Sequence, residues 1–228
     1  IGAPINTSNW ESQPSVAPNG DAIYFTRGGA RGQGDKNLMI SKRNLDGTWA
    51  EPEALSILNT SYDEGSPCIH PDGQTLYFSS EGHPGMGGLD LFMSRIQSDG
   101  SWGVPQNLGY PINTAQAEEA LAVTLSGDLA FIASDRPGGF GSLDIYNFIM
   151  PEDYRPMPVT YVKGLVYDAD TKKPLSKTVV EMVDVSTGKV YALSKTDGDG
   201  EFLLCLPMGK DYGLNVNRPK YLFYSDNF

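Results

Sequence analysis

Three glutamates, Glu11, Glu64 and Glu118, stand 53 and 54 residues apart in a chain of 228. Carboxylates at a repeated position can do two kinds of work. If the units that carry them surround a channel, they can gather at one mouth and bind a cation or a basic peptide. Alternatively, each accepts hydrogen bonds from backbone in its own or the adjacent unit. A repeated position is usually architectural, so the second reading is favoured, with the three kept as candidate binding residues. The two histidines, His70 and His83, are the side chains suited to acid–base work near neutral pH. His70 precedes a turn, and His83 lies in a glycine-rich run at residues 82–88. Neither has a recurring nucleophile or a Gly-x-Ser-x-Gly elbow beside it, so no catalytic residue is assigned. Met86 shares that run, and His83 and Met86 are candidate partner-contact residues.

Spacing argues against other chemistries. Asp197-Gly198-Asp199-Gly200 lacks the ligand spacing and final glutamate of a calcium loop and reads as a hairpin turn. Cys68 and Cys205 are the only cysteines; their apolar neighbours suggest buried free thiols rather than a bridge, and no Cys-x-x-Cys pair suggests zinc. The glycine-rich runs 28–34, 82–88 and 138–141 do not lead into a helix whose N-terminus could cradle phosphate. They read as flexible loops exposed on one rim. No metal or cofactor is expected. A net charge of −11 disfavours a nucleic-acid partner, which is held by Lys and Arg. No apolar run approaches the roughly 18 residues of a membrane-spanning helix.

The elements that position these residues come in threes. Asn6-Thr7, Asn59-Thr60 and Asn113-Thr114 open three segments, and Tyr24-Phe25, Tyr77-Phe78 and Phe131-Ile132 keep the same step. The middle segment parses into strands at 66–70, 75–80, 89–96 and 102–108, separated by Pro71-Asp72-Gly73, the glycine-rich run and Ser98-Asp99-Gly100. Four short strands per repeat make a propeller blade. The first segment repeats the plan with strands at 22–27, 38–42 and 49–55. The third has 129–134 and 143–148, then departs from it. The predicted fold is all-β: the C-terminal three blades of a β-propeller over residues 1–150, a proline-rich linker at 151–160, and a small β-sandwich at 161–228. Three blades are too few for a ring of about four to eight, so further blades are expected upstream or from a separate polypeptide. Sandwich strands are expected at 162–167, 178–184, 190–195, 201–206 and 212–216, with a last strand beyond Phe228.

Asp63-Glu64-Gly65-Ser66-Pro67, Pro71-Asp72-Gly73, Leu76-Tyr77-Phe78-Ser79-Ser80 and Gly88-Leu89-Asp90-Leu91-Phe92 resemble the TolB-type, WD40-like propeller repeats of periplasmic OmpA-family proteins. The resemblance covers residues 1 to about 150. Asn37 stands where such repeats usually carry Asp. Asp46-Gly47-Thr48-Trp49 and Asp99-Gly100-Ser101-Trp102 resemble the Asp-box of sialidases but lack a residue between Asp and Gly; they read as blade turns with a packed Trp. Gly164-Leu165-Val166-Tyr167-Asp168-Ala169, Lys173-Pro174-Leu175 and Thr196-Asp197-Gly198-Asp199-Gly200-Glu201-Phe202 resemble the carboxypeptidase regulatory-like domain, which is non-catalytic. Together the resemblances are to PorE-type components of type IX secretion. They imply a non-enzymatic periplasmic scaffold with protein partners in an outer-membrane assembly, reaching peptidoglycan only through a domain outside this chain. The alternatives are a glycan-binding or hydrolytic propeller and an accessory module of nutrient uptake.

Overall fold

The computed structural model describes residues 1–29, 35–44 and 46–227. The glycines of the first run, where it covers residues 30–34, lie outside them. The chain forms two compact units, Ile1–Met157 and Pro158–Phe228.

The first unit holds three antiparallel sheets, each in chain order. The first is β1 (Trp10–Val16), β2 (Ala22–Gly28), β3 (Asn37–Lys42) and β4 (Glu53–Ala54). The second is β5 (Glu64–Ile69), β6 (Thr75–Ser80), β7 (Asp90–Arg95) and β8 (Gln106–Asn107). The third has three strands: β9 (Glu118–Val123), β10 (Leu129–Ser134) and β11 (Asp144–Ile149). Each first hairpin turns on a glycine that the turn requires, since Gly20, Gly73 and Gly127 have φ of 71°, 68° and 78°, a region a side chain disfavours.

The fourth strands are shorter than expected. Trp49 and Trp102 make only single bridges to Arg43 and Ile96. Pro52 and Pro105 follow, and a proline has no N–H to give to the ladder. Pairing resumes after them for two residues in β4 and β8.

Burial follows from strand alternation, with the middle strands of the first two sheets covered on both faces and β11 exposed on one. Tyr24, Leu38 and Ile40 on the front face of blade one share a core with Leu76, Phe78 and Phe92 on the rear face of blade two. Tyr77, Leu91 and Met93 on the front of blade two meet Leu121, Ala130 and Ile132 of blade three. Trp102 packs edge-on against Tyr24, with ring centroids 6.0 Å apart. The rear of blade one buries Ile23, Phe25 and Met39 beneath Ile5 and Trp49.

Residues 151–157 are not a free linker. Met150 is fully buried and Tyr154 joins the core between blades two and three. Tyr77 Oη donates to the Tyr154 carbonyl (2.6 Å), Arg95 donates to the Arg155 carbonyl (2.7 Å), and Met157 N–H donates to Asp72 (3.0 Å). Prolines remove donors at their own positions only; the carbonyls of Tyr154 and Arg155 and the N–H of Met157 tie the segment down. The second unit's first strand already begins at Val159.

That unit is all-β as well. β12 (Val159–Leu165) pairs with β15 (Glu201–Pro207), and a second sheet runs β14 (Lys189–Lys195), β13 (Val179–Asp184), β16 (Tyr212–Asn217), β17 (Tyr224–Asn227). Val180, Met182, Phe202, Leu204, Leu206 and Leu214 form its core. The strand β17 was not anticipated, because Tyr224–Asn227 is exposed throughout and shows no alternation of apolar residues. Among the described residues no helix is long and apolar enough to cross a membrane.

Candidate functional site

The three glutamates lie within the first strand of each blade, in β1, β5 and β9. Glu64 and Glu118 are 0% exposed. Glu64 accepts from Thr60 N–H (2.9 Å), Thr60 Oγ1 (2.7 Å) and Ser80 Oγ (2.8 Å). Glu118 accepts from Thr114 N–H (2.8 Å), Thr114 Oγ1 (2.6 Å), Ser134 Oγ (2.9 Å) and Arg136 (3.2 Å). Glu11 takes the same Thr7 donors and Arg27. Burial raises the Glu11 carboxyl, but the Thr7 and Arg27 donors outweigh it and hold it below its ordinary value. The structure thus puts each carboxylate to work inside its own blade instead of bringing the three together as a cation site.

The asparagines of the second and third Asn-Thr pairs, Asn59 and Asn113, face the blade before them. Leu38 N–H donates to Asn59 Oδ1 (2.7 Å), and Asn59 Nδ2 donates back to Leu38 O (3.0 Å). Asn113 does the same with Leu91, at 2.8 and 2.9 Å. A carboxamide carries one donor side and one acceptor side, so it stands in for a residue of a missing strand. The motif Asn-Thr-x-x-x-Glu is therefore a joint: Asn holds the preceding blade, and Thr with Glu anchors the next.

His83 belongs to a second device. Arg27 donates to the carbonyl of Ile5 (2.9 Å), and Arg136 to the carbonyl of Ile112 (2.8 Å). Leu58 is the equivalent residue of the middle repeat, and His83 Nε2 lies 2.8 Å from its carbonyl. The ring also packs against Phe78 and Phe92. His83 is thus held within the framework. The three donors occupy different columns of the repeat, so comparing repeats residue by residue could not find them. His70 is internal as well: its Nδ1 accepts from Asp72 N–H (3.1 Å) and its Nε2 sits 3.0 Å from Thr124 O.

In blades two and three the loops between second and third strands are clamped, which corrects the expectation that runs 82–88 and 138–141 are flexible. Asp90 Oδ2 accepts from Met86 N–H (2.6 Å) and Gly87 N–H (3.1 Å). Asp144 Oδ2 accepts from Phe140 N–H (2.7 Å) and Gly141 N–H (3.1 Å). A Cβ on Gly87 would come within 2.4 Å of the Gln116 carbonyl, so the loop also rests closely on the next blade. Met86 and Phe140 occupy the same place in consecutive repeats, and both point outward: Met86 is 52% exposed and Phe140 is fully exposed. Sequence reasoning singled out Met86 and missed Phe140, although the 54-residue step leads from one to the other.

A further recurrence had no sequence signal. Gln13, Ser66 and Ala120 have φ of 53°, 49° and 55°, each inside a shift of register in the first strand. No glycine marks these bulges. Gln13 spans from its bulge to the next, donating to Ser66 Oγ (3.0 Å) and accepting from Ser66 N–H (2.8 Å). Cys68 and Cys205 are free, and burial raises both thiols. Among the described residues no cluster of three or more His, Cys, Asp or Glu could hold a metal.

No described protein family matches the sequence, and no curated protein does. Similar solved structures include TolB from Acinetobacter baumannii, at 12% identity and a TM-score of 0.43, covering 91% of this chain and 51% of that one. A puromycin hydrolase matches at 14% identity and 0.43, over 99% of this chain and 36% of that one. A periplasmic gluconolactonase from Pseudomonas aeruginosa matches at 14% identity and 0.36, over 92% and 67%. The chain spans about half the length of the TolB structure. At these scores none of the three carries an activity or a partner over to this chain.

Proposed function

We propose that this chain is a non-enzymatic interaction scaffold that presents fixed apolar tips on one rim of a blade array to a protein partner. The observation that carries this reading is the pair Met86 and Phe140, exposed on loops whose backbone is clamped by Asp90 and Asp144. An apolar side chain on a rigid loop loses little conformational freedom on docking. The groups suited to chemistry support the same reading, since Glu64, Glu118, His70 and His83 are engaged inside the blades.

The setting follows from the sequence resemblance. TolB-type repeats followed by a regulatory-like sandwich fit a periplasmic protein of the OmpA family, in a PorE-type role within an outer-membrane assembly such as type IX secretion. Attachment to peptidoglycan would then come from a domain outside these residues.

A Met86→Ser/Phe140→Ser variant tests the reading. With a photo-crosslinking residue placed at position 84, the parent protein is expected to form a discrete adduct in periplasmic extract. The variant should lose it at an unchanged melting temperature. An adduct equally strong in the variant would remove the rim tips as the contact.

A further inference from the structure

Neighbouring blades enclose two equivalent clefts at their turn ends, and the clefts differ in what fills them. Between blades two and three the filling is residues 151–157. Glu152–Tyr154 make a single 3₁₀ turn, and Arg155 leaves it extended, with φ of −67° and ψ of 132°. Tyr77 Oη donates to the Tyr154 carbonyl (2.6 Å), and Arg95 donates to the carbonyls of Asp153 (3.3 Å) and Arg155 (2.7 Å). Asp72 accepts from Met157 N–H (3.0 Å). Pro156 is buried on Gly127, where a Cβ would come within 3.0 Å of its ring.

The cleft recurs between blades one and two, one repeat earlier. Tyr24 stands in the place of Tyr77, Lys42 in that of Arg95, Asn19 in that of Asp72 and Gly73 in that of Gly127. Here it is open. A cavity of about 330 Å³ is lined by Ala17, Tyr24, Ile40 and Lys42 of blade one and Ile69 and Gly73 of blade two, within the range of roughly 300–1,000 Å³ of sites that take ligands. Ala17 stands where His70 bridges to Thr124 O, and a methyl group cannot make that bridge. Tyr24 is only 5% exposed, yet among the described residues its Oη has no hydrogen-bond partner. A buried hydroxyl left unpaired is costly. Burial, and then the Asp21 charge, push its pKa up to about 12, so it stays a donor at neutral pH. Lys42 is exposed and, among the described residues, in no ion pair.

We propose that the cleft between blades one and two binds an extended, acidic, proline-containing segment of a partner protein, seated as residues 151–157 are seated in the neighbouring cleft. Tyr24 Oη donates to a main-chain carbonyl of the segment, Lys42 donates to carbonyls on either side of it, and a proline two positions further on rests on Gly73. Such a segment is already stiff, so it loses little freedom on docking. The acidic preference follows from charge. The open cleft carries Lys42, Arg43 and Asp21, a sum of +1, where the filled one carries Arg95 and Asp72, a sum of zero, and the segment in the filled one already includes Glu152 and Asp153. The cleft lies at the Thr75 end of β6 and the loop bearing Met86 follows its Ser80 end, so this site and the rim contact can fail separately.

A fluorescein-labelled peptide, Pro-Glu-Asp-Tyr-Arg-Pro-Met, copies the seated segment and serves as the probe. Fluorescence anisotropy with the 228-residue chain is expected to show saturable binding, weakened when alanine replaces the second proline of the peptide. Tyr24→Phe, which keeps the ring and removes only the hydroxyl, should weaken binding about fivefold to tenfold, the net worth of one hydrogen bond. Lys42→Glu should weaken it at least as much. Both variants should melt with the parent, whereas Tyr77→Phe, which releases the Tyr154 carbonyl, should melt lower. Absence of saturation up to about 1 mM peptide overturns the proposal, as does equal affinity in the parent and both cleft variants. A dimer in sedimentation velocity that Tyr24→Phe dissolves would give the cleft to a second copy and overturn the partner.

Discussion

Glu64 is a carboxylate without solvent and, among the described residues, without a cation; three donors from Thr60 and Ser80 surround it. Glu118 has the equivalent donors of Thr114 and Ser134 plus Arg136 at 3.2 Å. Replacing either by Gln turns an amide N–H₂ toward groups that donate. Glu64→Gln is expected to cost about 2 kcal/mol for the bonds left unmade. Glu118→Gln should cost about 3 kcal/mol, because it also removes the carboxylate that pairs with Arg136. Urea denaturation followed by Trp fluorescence checks both, and a loss below about 0.5 kcal/mol, typical of a surface change, would mean the anchors are not structural. The 53- and 54-residue spacing exposed these glutamates as one column. It hid Arg27, His83 and Arg136, which reach equivalent carbonyls from three different columns. A donor's reach depends on side-chain length and loop path, which register does not record.

The joint between blades is the element on which the array depends. Asn113 is fully buried and satisfies both the N–H and the carbonyl of Leu91. Asn113→Ala leaves the Leu91 N–H unpaired, while the Leu91 carbonyl keeps the Leu108 N–H, a loss of about 1–3 kcal/mol. Asn6→Ala removes only an exposed bond to Ile1 and should change the stability of a single chain by less than about 0.5 kcal/mol. Chemical denaturation of the two variants at low protein concentration compares them directly; equal losses would contradict the joint. Strand positions were legible from the period-two pattern, as at Leu76 and Phe78. The bulges at Gln13, Ser66 and Ala120 were not, because a left-handed residue here is held by its surroundings. The short fourth strands had their signal in Pro52 and Pro105, read as sequence but not weighed as missing donors.

At the scale of the whole molecule, two β units meet acid with different carboxylates. Asp168 in the second unit accepts from the N–H (2.6 Å) and Oγ1 (2.8 Å) of Thr171, which pull its pKa down to about 2 from 3.8. Lys210 and then Ser186 lower the Asp184 carboxyl in the same direction. A depressed carboxyl contributes stability that is fully present above the unfolded value and is lost as pH falls through the folded one. The Asp168 contribution should therefore fade between pH 3.8 and about 2. Carbon-detected NMR titration should place its midpoint near the lower figure, and Asp168→Asn should flatten the fall in stability over that window. A midpoint near 3.8 would mean the Thr171 bonds are not made in solution.

The order of the repeats, the turn glycines, the alternation of strands and the change of pattern past residue 150 were all determined by the sequence alone, because each depends on neighbours a few residues apart. The tertiary structure decided the rest. Only folding brings Thr60, Ser80 and Glu64 to one point, turns Asn113 into a rung for Leu91, and draws the proline-rich residues 151–157 onto Tyr77 and Asp72. Apart from Thr60–Glu64, those contacts join positions 16 to 85 residues apart, where the chain's own stereochemistry has no influence and close packing selects the partner.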